Sequence, residues 1–241
     1  MDIRGARVLV VGATGELGGR LAVLAADGGA RVVPAGRDTG RLDAVARRIG
    51  APDTLAFDAY DLDLCSALAE RAARHLGGLD AVAVSIGAVA FGRCEELPAG
   101  IEEHLMTVNA LAPLAVLRGA IRAIRPGGAV GGVTGIVVER PIATAGAYRA
   151  SKTALTGWLE TARLEQRRHH LTVLEARPPH LATGFAERAV AGTPPRLPAG
   201  ADPQPWAAAI LEALFSGAEL LRPGPDGSPL PSALARAATP S

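Results

Sequence analysis

The run Arg7-Val8-Leu9-Val10-Val11-Gly12-Ala13-Thr14-Gly15-Glu16-Leu17-Gly18-Gly19-Arg20 decides the fold class. Its first five residues form an apolar strand fit for burial on both faces, and the spaced glycines then open onto a helix running to Asp27. Gly12 permits the tight turn, Gly15 lets backbone approach a diphosphate, and Gly18 allows close packing of helix on strand. The free N–H groups and positive dipole end of the helix meet the same point. The loop, with Thr14, Glu16 and Leu17, therefore predicts an anion cradle of the dinucleotide-binding kind.

The same alternation continues along the chain. Strands are expected at Arg7 to Val11, Arg31 to Ala35, Thr54 to Phe57, Ala81 to Ser85, Ala129 to Thr134 and Leu171 to Ala176. Helices are expected at Leu17 to Asp27, Arg41 to Ile49, Leu62 to Leu76, Ile101 to Ile124 and Ala147 to His169. The segment lengths fit right-handed crossovers. The expectation is an α/β fold: a Rossmann-type, doubly wound parallel sheet in three α/β/α layers, one domain over residues 1–241. After Pro178 the crowded prolines and glycines predict a long loop with a short helix, residues 181–205 forming a lid or substrate loop. A last helix, Trp206 to Phe215, and a brief strand near Glu219 to Leu221 precede a Pro-rich tail, about 222–241, expected to order poorly.

Composition narrows the classes of function. Twenty-five Lys and Arg against 24 Asp and Glu leave no basic field for nucleic acid or an anionic membrane. Cys65 and Cys94 make no disulfide framework, and the five histidines, His75, His104, His169, His170 and His180, have no metal-ligand spacing, so no metal is expected. Met1 runs directly into strand-like sequence without a cleavable leader, and no apolar run reads as long enough to span a bilayer. A cytoplasmic protein with a small-molecule partner is the expectation.

Two side-chain patterns carry chemistry. The second strand ends at Ala35-Gly36-Arg37-Asp38, where an acidic residue would bind the ribose hydroxyls of NAD. Gly36 cannot; Arg37 offers a planar cationic fork for a 2′-phosphate, favouring NADP(H) over NAD(H), while Asp38 keeps the NAD reading open. Tyr148 and Lys152 lie one helical turn apart. An ammonium near a phenol favours the phenolate, so Tyr148 can exchange a proton with a carbonyl or hydroxyl near neutral pH.

With the glycine loop, Tyr148-x-x-x-Lys152 and Asn109 in Val108-Asn109-Ala110, nearly the whole chain resembles the short-chain dehydrogenase/reductase family, in its compact single-domain branch with a variant glycine motif. The resemblance implies an NADP(H)-dependent oxidoreductase, a ketoreductase or alcohol dehydrogenase, passing hydride to or from a small carbonyl or alcohol. It implies that Tyr148 is the general acid/base, that Lys152 lowers its pKa and holds the nicotinamide ribose, and that Asn109 supports a relay water. Asp58 and Ala59 would then meet the adenine, Gly87 and Pro178 would line the cofactor, and Thr183 would hold the carboxamide; Asp58 equally suits a turn cap and Thr183 a plain loop position.

The departures are specific. Gly135 stands where the family's catalytic Ser normally lies, thirteen residues before Tyr148. Neighbouring Thr134 either turns its hydroxyl to the substrate carbonyl or only packs. Val84-Ser85-Ile86-Gly87 replaces an Asn-Asn-Ala-Gly run. These changes keep open a cofactor-binding protein with lost redox chemistry, or a lyase, isomerase or cyclase on the same fold. Phe185, Leu197 and Trp206 suggest a largely apolar substrate, and the resemblance implies that the Tyr148 helix, which carries Trp158 and Leu159, packs against a second subunit in a homodimer or homotetramer.

Overall fold

The computed structural model describes residues 1–232. Its elements run β1 (Arg7–Val11), α1 (Glu16–Asp27), β2 (Arg31–Gly36), α2 (Thr39–Ile49), β3 (Leu55–Ala56), α3 (Leu62–Leu76) and β4 (Ala81–Val84). There follow α4 (Ala99–Met106), a π-helical turn (Thr107–Leu111), α5 (Ala112–Ala123), β5 (Ala129–Val133), α6 (Gly146–Gln166), β6 (Thr172–Ala176), α7 (Pro203–Ser216), β7 (Leu220–Pro223) and β8 (Pro229–Ser232).

The strands form one sheet in the order β3-β2-β1-β4-β5-β6-β7-β8. Every pairing is parallel except the last, β7 with β8. The order reverses between β1 and β4, which opens a crevice at the carboxyl ends of these strands, the place where doubly wound sheets bind ligands.

The strand period of two explains both cores. Along β1, Leu9 and Val11 enter one apolar cluster with Leu68, Leu117, Leu155 and Leu159 of α3, α5 and α6. Val8 and Val10 enter the other with Leu21, Ala25, Trp206, Ile210 and Leu214 of α1 and α7. Burial on this scale contributes about 1.5–3 kcal/mol for each large side chain. Helix starts are set by short acids: Asp38, Asp61 and Asp202 accept from the N–H groups of Arg41, Leu64 and Gln204. At the opposite rim, Asp80 (5% exposed) accepts from Arg7 Nε and Nη2, both at 2.8 Å, and pairs with Arg125.

Several expectations need correction. The third strand shrinks to two residues. The helix expected over Ile101 to Ile124 widens into a π turn at its middle. No helix forms between Leu181 and Asp202 among the described residues; instead Leu181 and Ala201 pair as an isolated bridge that closes the loop. The last helix begins at Pro203, not Trp206. Within the expected tail, 229–232 pair with β7, while the rest of the tail lies outside the described residues. The helical stretch Ala99–Ala123 is also long and apolar enough, by length and composition, to cross a bilayer; here more than half of its most apolar window is buried in the fold.

Candidate active site

Four strand ends converge on the crevice. After β1, Gly12 has φ +89°, a left-handed backbone that side chains disfavour, and its carbonyl accepts from Gly15 N–H at 2.9 Å. Gly18 lies so close beneath it that a Cβ would stand 2.2 Å from the Gly12 oxygen and 2.6 Å from Ser85 Oγ. The first-turn N–H groups of α1, Glu16 and Leu17 included, have no intrahelical acceptor and face the loop. A turn that only glycine allows at Gly12 and Gly18, ending in the first-turn N–H groups of α1, fits a diphosphate.

Around this cradle, Thr14 packs against Gly36, whose Cβ would meet its methyl at 2.8 Å, and the Thr14 carbonyl accepts from Arg41 Nη2. Glu16 pairs with Arg20 at 2.6 Å, and Leu17 packs toward the α1–α7 core. Arg37 is exposed just beyond β2. Asp38 is spent as the cap of α2, accepting from Arg41 N–H at 3.0 Å. Asp58 is exposed and caps its own turn through Tyr60 N–H at 3.0 Å, while Ala59 is partly buried against the core.

Across the crevice, the π turn turns Asn109 inward until nothing of it is exposed. Its Oδ1 accepts from Ala88 N–H at 2.9 Å, and its Nδ2 donates to the Ala88 carbonyl and Ser151 Oγ at 2.8 and 3.0 Å. Gly87 leaves room for Asn109 and Lys152, both 3.1 Å from where its Cβ would be. Lys152, buried on α6, donates to the Val133 carbonyl at 3.1 Å and more weakly to Ile86 at 3.5 Å. It is the single lysine among the chain's 25 Lys and Arg residues. Burial lowers its ammonium pKa to about 8 and raises the Tyr148 phenol above its ordinary range. In this arrangement the ammonium is turned to carbonyls, so burial, and not the expected pull of Lys152, dominates the phenol.

Tyr148 sits in a third apolar cluster built from Val89 and Phe91, Ile142 and Ala145, and Phe185, Ala186 and Leu197 of the 181–205 loop. The Phe185 ring lies 6.2 Å from the Tyr148 ring, tilted by 52°. Val190 N–H to Val89 O (2.8 Å) and Phe91 N–H to Ala191 O (2.9 Å) hold the loop down. Trp206 is not part of this wall; it is a core residue of the α1–α7 layer. Leu159 is likewise core, and the exposed large apolar side chains among the described residues are Met1, Tyr60, Met106, Leu111, Leu164, Val190 and Leu230.

The expectation that Thr134 turns to substrate is corrected. Its hydroxyl donates to Glu175 Oε1 at 2.7 Å inside the protein, and Gly135, at φ +120°, has no hydroxyl to offer. Pro178 is buried, its carbonyl accepting from Ile136 N–H at 2.8 Å. Thr183 folds onto its own loop through Leu181 O at 2.8 Å. His75 pairs with Asp53 at 3.2 Å, His104 shares a hydrogen bond with Tyr60 at 2.6 Å, and the described residues hold no group of three or more metal-ligating side chains. The sequence reading missed Glu175 altogether, though a charged residue inside the apolar run Thr172–Ala176, with Arg177 beside it, was a visible signal.

Comparison with known proteins agrees with this fold. The family model for short chain dehydrogenases matches residues 6–193. The zebrafish (Danio rerio) dehydrogenase/reductase SDR family member 7B is 28% identical over 228 residues, 86% of this chain and 73% of that protein. The chain spans only 62% and 61% of the bovine and mouse proteins of that name. A 3beta-hydroxysteroid dehydrogenase of Mediterraneibacter gnavus is 28% identical over 87% of this chain and 79% of its own length. A Burkholderia cenocepacia short chain dehydrogenase solved in complex with NADP superposes with a TM-score of 0.80, covering 89% of this chain and 92% of that one at 23% identity.

Proposed function

Because the chain belongs to the short-chain dehydrogenase family, and so is an NAD(P)-dependent oxidoreductase, we propose that it is an NADP(H)-preferring ketoreductase or alcohol dehydrogenase for a largely apolar small molecule. The observation that carries this reading is Tyr148, one helical turn from the chain's only lysine and packed among Val89, Phe91, Ile142, Phe185 and Leu197. A substrate entering there exchanges the Phe185 and Leu197 contacts for its own apolar surface and brings its one oxygen to the phenol.

Residues of the glycine cradle hold the diphosphate, and Arg37, with Arg41 at the Thr14 carbonyl, supplies the cationic side for a 2′-phosphate. Asp38 caps α2 through one carboxylate oxygen, which ties that oxygen to the helix start. A fold neighbour solved with NADP is in keeping with a nicotinamide cofactor. When bound, the nicotinamide supplies or accepts the hydride. Tyr148 is neutral at physiological pH, as an ordinary phenol is, and burial raises its phenol further, so it gives its proton to the oxygen of a carbonyl under reduction and takes one back in the reverse direction. Lys152 is suited to its place because an arginine there would neither give up a proton nor present a compact charge to the Val133 carbonyl. Loop 181–205 acts as the lid, within a domain spanning the chain, in a cytoplasmic homodimer or homotetramer.

The test is a fluorescence titration of the protein with NADPH and with NADH, in wild type and Arg37→Ala, followed by turnover on a panel of apolar ketones and alcohols. Tighter NADPH binding that Arg37→Ala abolishes, with turnover lost in Tyr148→Phe, is the expected result. Absence of binding by either nucleotide refutes the reading. The engagement of Thr134 with Glu175, beside a hydroxyl-free Gly135, favours a second reading: a cofactor-binding protein without redox chemistry, for which nucleotide binds but Tyr148→Phe changes nothing.

A further inference from the structure

Glu175 is wholly buried in β6. A carboxylate stripped of water costs several kcal/mol unless donors replace the lost hydration. Here they do so from three directions. Oε1 accepts from Thr134 Oγ1 and Thr156 Oγ1, both at 2.7 Å, and from Arg177 Nε at 2.9 Å, while Oε2 accepts from Arg177 Nη2 at 2.7 Å. Burial opposes its ionisation, yet the hydrogen bonds from Arg177 and Thr156, the Arg177 charge and the Thr134 hydrogen bond together hold it ionised below its ordinary range.

A fold-stabilising ion pair with Arg177 would need neither threonine. The two threonines belong to the two segments that place Lys152. Thr134 directly follows Val133, whose carbonyl receives the Lys152 ammonium, and Thr156 stands one turn of α6 beyond Lys152, within 3.3 Å of its carbonyl. One carboxylate oxygen thus ties the end of β5 to the turn of α6 that follows the lysine. We propose that Glu175 is a positioning residue of the active site, whose carboxylate holds Lys152 against the Val133 carbonyl through Thr134 and Thr156. The proposal rests on the oxidoreductase reading for its meaning, but not for its test.

The charged groups around Lys152 are few. Along α6 stand Tyr148, Arg149 (bound to the Val137 and Val138 carbonyls), Glu160 and Arg163; β6 brings Glu175, and Arg177 follows it; and the loop after β5 brings Glu139, which is paired with Arg177. The segment after β4 offers only the Ile86 carbonyl and neutral Asn109 faces it from the π turn. Displacing Lys152 from this setting therefore changes its hydrogen bonding and its hydration, with no neighbouring charge to mask the effect on its titration.

Because the chain has a single lysine, lysine labelled with ¹³C at Cε gives one side-chain resonance, and Lys152 can be titrated directly in the full-length protein without any substrate. Thr156→Val and Thr134→Val each remove one donor while keeping the side-chain shape, and Thr156→Ser keeps the hydroxyl. Wild type and Thr156→Ser should titrate alike near the depressed value of about 8, and both valine variants should depart from it by roughly one unit, in either direction. Merely loosened packing would affect Thr156→Ser, which loses a methyl group, as much as Thr156→Val. Unchanged titration in both valine variants, or an equal shift in Thr156→Ser, overturns the proposal. If one valine variant fails to fold, the other reads the remaining arm. An NADPH titration of the same wild-type sample separates the two ideas: no nucleotide binding refutes the oxidoreductase reading and leaves the lysine titration to judge Glu175.

Discussion

Replacing Gly18 with alanine tests the cradle at its tightest point. The added methyl would stand 2.2 Å from the Gly12 carbonyl oxygen and 2.6 Å from Ser85 Oγ, about an ångström nearer than ordinary contact allows. Neither neighbour can yield freely. The Gly12 oxygen is backbone already holding Gly15 N–H, and Ser85 begins the segment that follows β4, its N–H bonded to the Val11 carbonyl at 2.9 Å. Helix α1 must therefore back away, at an overpacking cost of about 1–3 kcal/mol. For a protein of this size that is a fall in melting temperature of roughly 2–12 °C. The retreat also withdraws the first-turn N–H groups from the anion, so NADPH should bind at least ten-fold more weakly, which is about 1.4 kcal/mol. Differential scanning fluorimetry with and without NADPH reads both effects. A variant that melts and binds as wild type does would refute the close approach of Gly12 and Gly18 on which the cradle depends.

Gly157 is the contrasting case: exposed on α6 with nothing within 4 Å of its would-be Cβ, it should gain about 0.5–1 kcal/mol on conversion to alanine, measured by urea denaturation. Asp80→Asn should destabilise the protein by about 2–3 kcal/mol, since it leaves Arg7 and Arg125 without their shared partner. The Arg7 hydrogen bonds hold the Asp80 carboxyl far below the usual range, so its contribution is complete above the unfolded pKa near 4 and fades as pH drops below it. Stability measured from pH 7 to pH 3 should consequently fall more steeply in wild type than in Asp80→Asn. Lys152→Met should do the opposite of most active-site losses and stabilise the protein at pH 7, by roughly 1–3 kcal/mol. The folded ammonium titrates near 8 while the unfolded one titrates near 10.5, so wild-type stability should rise across that interval and the methionine variant should lack the rise. A wild-type curve that is flat there contradicts the buried placement of Lys152.

What could be read from the chain before its folding was whatever depended on local pattern. β1, the glycine turn and α1 are contiguous and strongly periodic, so their expected bounds match closely, and the alternation of apolar strands and amphipathic helices predicts the sheet. The strand near Glu219 to Leu221 was expected, but its antiparallel partner β8 was hidden because Pro229 and Pro231 are poor strand formers, and their pairing depends on tertiary register. The π turn was hidden because one extra residue in a helix leaves the apolar pattern almost unchanged, yet it is what turns Asn109 inward. Thr134 was misjudged from its place in the chain. The period of two places it on the same face of β5 as Val130 and Gly132, whose neighbours are Leu117, Leu155 and Leu159 beneath α5 and α6, and that face leads to Glu175. Trp206 was assigned to a pocket by proximity in sequence to the lid, whereas α7 turns it under the sheet.

The closing hairpin also governs how the sheet ends. Leu220 to Pro223 pair with Ser232 to Pro229, and in an antiparallel ladder alternate residues direct their N–H groups to the same side. With β8 joined to β7 through its non-proline residues, the positions facing outward are Pro229 and Pro231, which carry no N–H. The far edge, β3, is two residues long. One rim is thus chemically blunted and the other too short to template a neighbour, so among the described residues the sheet offers no ready edge for intermolecular strand addition of the kind that seeds aggregation.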